Sequence, residues 1–212
     1  MLRNNTINKS LAYYLNVISK SVLAGFLISF AGIAYLLCKE KGLSDVICSL
    51  VFSIGLISVI VLESNLYTGK IGYVDSNQKA IDIGIILVTN LLTAFVFGLL
   101  FRLTYGKINL MEIKMNKDLE RFFMDSFFCG VCIYIAIEGY AITKSFIPVI
   151  MGVFVFVICG WEHCIADTFY FGGGDMSPRG LMYLLICILG NSFGSLFCRY
   201  FQKYIEIITK ND

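Results

Sequence analysis

Charge is what this 212-residue chain has least of: 15% of its residues are charged, and it holds a single histidine. With 17 basic against 15 acidic residues and a net charge of +2, it offers no basic stripe to a nucleic acid. The chain also lacks the two-residue alternation of apolar and polar residues that marks a membrane β-barrel. What is abundant is apolar: 58% hydrophobic residues and a mean hydropathy of +0.77, the composition of an integral membrane protein. Lipid cannot satisfy an exposed backbone, so continuous apolar runs read as helices.

Each helical crossing takes about 20 apolar residues, and six such stretches lie near 16–38, 44–66, 81–102, 122–142, 145–171 and 180–201. They predict one all-α transmembrane domain over 1–212, with three spans in each half. No small-residue cleavage site closes the first span and a polar segment precedes it, so it is expected to stay in the membrane. An even span count puts both termini on one side. Lys and Arg divide nine to eight between the sides, a slight excess on the terminal side that points to cytoplasmic termini in a plasma or inner membrane.

Eight cysteines are scattered through the apolar spans, where free cysteine behaves as a small hydrophobe. Cys129 and Cys132 have the spacing of a thiol-exchange pair, so a membrane thiol oxidoreductase stands as an alternative, with helix packing the simpler account. A lone pair supplies only two metal ligands, and no metal or other cofactor is expected.

The second and fifth stretches are the irregular ones. The apolar run ending Val59-Ile60-Val61-Leu62 meets Glu63-Ser64-Asn65-Leu66-Tyr67-Thr68-Gly69-Lys70, and Val153 to Cys159 meets Gly160-Trp161-Glu162-His163. Interruptions at corresponding places in two halves point to a transport site. The third and sixth stretches also match, with Asn90 and Asn191 each among small residues four apart, a spacing that lets helices approach closely. The asparagine amides can bind carbonyls freed where a neighbouring helix breaks, and simple helix packing is their plainer role. Within the fifth stretch, an acid and the sole histidine lie amid residues fit for a membrane interior. Ionisable groups there cost several kcal/mol at least, and mark solute or proton paths.

Taken together, these segments resemble the formate/nitrite transporter family of pentameric anion channels. Gly160-Trp161-Glu162-His163-Cys164-Ile165-Ala166-Asp167 follows the family's Gly-Phe-Glu-His-x-x-Ala-Asn signature, with Trp and Asp substituted. Leu66-Tyr67-Thr68-Gly69-Lys70 is similar to its Leu-Phe-Thr-Gly-Asn loop, and Gly190 to Ser195 to its Gly-Asn-x-x-Gly-Gly pattern, of which Thr89 to Ala94 is the third-span relative. Cys129 to Ala136 follows the fourth-span stretch loosely, with Gly130 where the family has an asparagine.

The resemblance implies six transmembrane helices in two inverted three-helix repeats, aquaporin-like, with broken second and fifth helices, assembled as a homopentamer. It implies transport of small monovalent anions of weak acids such as formate, nitrite or hydrosulfide, exchanging protons at His163, which would meet Thr68 at mid-pore. An aquaporin-like conduit for neutral solutes is the alternative, and no enzymatic activity is expected. His163, Thr68, Asn90, Asn191 and Lys114 are the candidate pathway residues, Lys114 as an anion funnel within a basic cluster that includes Lys107, Lys117 and Arg121. Leu66, Tyr67, Phe156 and Trp161 are candidate constrictions, with ordinary packing their plainer role. Glu162 is expected to hold the helix break, and Asp167 to be protonated, paired with a cation or turned away.

Overall fold

The computed structural model describes residues 11–209, and every regular element among them is helical. In chain order these are α1 (Leu11–Glu40), α2 (Asp45–Phe52), α3 (Ile54–Val61), α4 (Tyr67–Lys70), a 3₁₀ turn (Ile71–Tyr73), α5 (Asn77–Tyr105), α6 (Leu110–Lys114), α7 (Leu119–Thr143), α8 (Ile147–Ile158), α9 (Cys164–Gly173) and α10 (Pro178–Thr209). α1, α5, α7 and α10 are long and apolar enough to cross a membrane. Many of their large apolar side chains, Leu92, Leu103 and Phe197 among them, stand outward. That is costly in water and natural against lipid tails.

The helices start where local chemistry permits. Ser44 and Ser76 cap α2 and α5, accepting from Ile47 N and Lys79 N, and Pro148 lies in the first turn of α8, where no N–H is missed. Lys144, at φ 56°, closes α7 in the left-handed conformation. The second stretch is broken twice. Ser53 parts α2 from α3, a break the residue pattern did not announce, and its hydroxyl donates to Ile150 O of α8 at 3.4 Å. The second break follows Val61.

The two main breaks are alike. α3 ends at Val61 and α8 at Ile158; Glu63 (φ 47°) and Gly160 (φ 66°) then turn the chain, and Ser64 N and Trp161 N donate back to Val59 O and Phe156 O. After each, a new helix begins, α4 at Tyr67 and α9 at Cys164.

Close crossings bring these pieces together. A Cβ on Gly194 would lie 2.0 Å from Phe127 O, and one on Gly130 would lie 2.3 Å from Asn191 O, so α7 and α10 touch backbone to backbone. Position 130 is therefore filled by the neighbouring helix, with no room for the family's asparagine. The segment around α6 is strapped over the C-terminal part of the molecule: Ile108 N donates to Gly173 O, Arg179 Nη2 to Met115 O, and Tyr183 OH to Lys117 O. Its buried Met111 anchors it, and its lysines are carried to the second break.

Candidate functional site: a histidine between two broken helices

Each break frees backbone groups that lipid cannot satisfy. Asn90 on α5 answers the first: its Oδ1 accepts from Tyr67 N at 2.8 Å, and its Nδ2 donates to Ser21 O at 2.7 Å and Asn65 O at 3.0 Å. Asn191 on α10 answers the second in the same way, accepting from Cys164 N at 2.9 Å and donating to Ser126 O at 2.7 Å and Glu162 O at 2.8 Å. Both amides are fully buried. Two of each amide's three bonds go to the break it holds and the third to a neighbouring helix, α1 or α7.

These clamps bring Thr68 and His163 together, Oγ1 to Nε2 at 3.0 Å, both buried. His163 is also the N-cap of α9, and its Nδ1 accepts from Ala166 N at 3.3 Å. An accepting Nδ1 carries no proton, so the neutral ring bears its hydrogen on Nε2, aimed at Thr68. The Phe156 ring stacks on the imidazole at 5.7 Å between centroids.

One cavity reaches His163, and a second lies against the chain on either side of Thr68. One, of about 250 Å³, is lined by His163, Phe156, Trp161, Lys114 and Asp167. The other, of about 450 Å³, is lined by Leu66, Gly69, Lys70, Lys20 and Lys144. Of the four candidate constrictions, Leu66, Phe156 and Trp161 line these cavities, Trp161 while stacked on Phe128. Tyr67 lines neither; its hydroxyl shares a 2.7 Å hydrogen bond with Ser192.

Glu162 and Asp167 are fully buried, and within the basic cluster Lys114 and Lys117 turn inward to meet them while Lys107 and Arg121 are exposed. Lys114 Nζ bonds Glu162 and, at 2.6 Å, Asp167; Lys117 Nζ bonds Glu162 and Asp125 at 2.6 Å and Gly160 O at 2.7 Å. Asp167 is thus paired with a cation, the second of its three expected outcomes. Glu162 bonds both lysines, and Lys117 also reaches Gly160 O at the break. Lys107, the outermost lysine of the cluster, pairs instead with Asp175 at 2.5 Å and Glu112 at 3.8 Å. The role of Lys117 was missed because only folding sets it against Gly160; the one sequence signal was that two acids in an apolar span require cations.

Cys129 and Cys132 are free thiols buried in α7, not an accessible exchange pair. Among the described residues no cluster of metal-ligating side chains occurs.

Apolar helices of this length, many of their large side chains facing outward, define an integral membrane protein, and two clamped helix breaks meeting at a buried histidine are the design of a transport protein. The profile of the formate/nitrite transporter family matches residues 2–205, and the chain belongs to that family. A solved FNT family ion channel is similar at 19% identity and TM-score 0.78, over 91% of this chain and 90% of its own. A pentameric formate channel with formate bound is similar at 17% identity and TM-score 0.78, over 94% of this chain and 100% of its own. No curated protein matches. Family membership makes the chain a transporter, and the thiol oxidoreductase reading is set aside.

Proposed function

We propose that this protein conducts the anions of small weak acids, formate, nitrite and hydrosulfide being the class, and exchanges protons with them at His163. The observation that carries the reading is the Thr68–His163 hydrogen bond, which joins the two broken helices beside the cavity that His163 lines. Six spans in two inverted repeats are the proposed architecture. The support is positional: Asn90 and Asn191 make the same three bonds, pairing Ser21 with Ser126, Asn65 with Glu162 and Tyr67 with Cys164. In that correspondence Leu66 matches His163, and Lys70 matches Asp167. The similar solved channel is pentameric, and a homopentamer of this single-domain chain is the proposed assembly. The slight excess of loop cations on the terminal side supports cytoplasmic termini in a plasma or inner membrane.

The chemistry follows from the ring's surroundings. A second proton on His163 must go to Nδ1, which gives up the bond from Ala166 N. An anion near Thr68 offsets that loss, because opposite charge favours the imidazolium. The imidazolium passes its Nε2 proton to the anion, and a neutral acid crosses the apolar contacts of Leu66 and Phe156 at far lower cost than the ion. The neutral ring keeps its Nδ1 proton until exchange restores the cap.

Proteoliposomes test the reading. Formate flux is expected to fall tenfold or more for His163→Phe; equal flux would remove the histidine from the mechanism. Flux indifferent to pH, with no proton movement, would favour the neutral-solute conduit instead.

A further inference from the structure

The two positions matched by the repeat, 70 and 167, carry opposite charge. Lys70 is exposed at the cavity that it lines together with Lys20, Lys144 and Glu63. No hydrogen bond or ion pair engages the side chain of Lys70 or Lys144 among the described residues. Asp167 is fully buried at the other cavity, with Oδ1 on Lys114 at 2.6 Å and Oδ2 receiving Cys187 Sγ at 3.4 Å. Lys114 also serves Glu162, and Lys117 serves Glu162 and Asp125. Two ammonium groups therefore serve three carboxylates, of which Asp167 alone lines the cavity, and the exposed Arg121 is the one cation on that lining outside these pairs.

We infer that Asp167 withdraws Lys114 from the anion path, so that the mouth beside His163, whose lysines are held in ion pairs, attracts anions less than the mouth of Lys70 and Lys144. The inference rests on the anion-transport reading above. An asparagine at 167 would keep the size and lose the charge, and Lys114 would then answer to Glu162 alone. The fixed charge beside the cavity would rise by one, within a few ångströms of Lys114, where low-dielectric walls limit screening.

Formate uptake into right-side-out and inverted membrane vesicles reads the two mouths separately. For the wild type, the half-saturating concentration should be about three- to tenfold higher on the Asp167 face than on the Lys70 face. Asp167→Asn should lower it by a similar factor on its own face, with a steeper dependence on ionic strength. Lys70→Asn, at an exposed site that tolerates substitution, should raise it on the other face about two- to fivefold. Equal half-saturation on the two wild-type faces overturns the inference. So does an Asp167→Asn or Lys70→Asn protein whose constants match the wild type at low salt. If the wild type carries none of formate, nitrite or hydrosulfide, the parent reading fails first and takes this one with it.

Discussion

At the scale of single residues, the chemistry gathers on a few buried polar side chains, His163, Thr68, Asn90 and Asn191 among them. Because the chain has one histidine, its tautomer can be read without ambiguity. Nitrogen-15 spectra of the labelled protein in lipid should show Nε2 protonated and Nδ1 bare at neutral pH; the opposite tautomer would contradict the bond from Ala166 N. Thr68 acts through its hydroxyl, so Thr68→Ser should retain most formate flux and Thr68→Val should lose about tenfold, the effect of removing a buried polar partner. Asn191→Ala strands Cys164 N and Glu162 O in a dry site. Each stranded group costs about 1–3 kcal/mol, so thermal unfolding in detergent should drop by several degrees, whereas an unchanged midpoint would deny the clamp.

At the scale of elements, the breaks and crossings carry the design. α7 and α10 meet where Gly130 and Gly194 leave room only for backbone. Gly194→Leu should push the pair apart and destabilise the fold by about 1–3 kcal/mol or more, seen as aggregation or early melting on size-exclusion chromatography. The two interrupted segments were legible in the residues, because glycine and polar clusters follow apolar runs at Glu63 and Gly160. The break at Ser53 was not legible: its neighbours are apolar on both sides, and the hydroxyl finds Ile150 O only after α8 has packed alongside. The strap around α6 was likewise invisible, since its charges looked like those of any surface loop.

At the scale of the whole molecule, transport links the two faces of the membrane. Formate-driven flux should rise as the external pH falls, with protons moving in step, because His163 must gain a proton before it can give one. A pH-sensitive dye inside proteoliposomes reads that movement; formate flux without acidification would refute proton exchange. Composition and the order of motifs determined by themselves that this is a helical membrane protein of the formate/nitrite transporter family, since length, hydropathy and the segment around His163 are local properties of the chain. Tertiary structure alone decided which charges meet. Lys114 and Lys117 lie far from Glu162 and Asp167 along the chain, and only the packing of the α6 segment against α9 and the break before it brings ammonium and carboxylate into contact. Ion pairing between distant segments depends on distance in space, which no spacing along the sequence encodes.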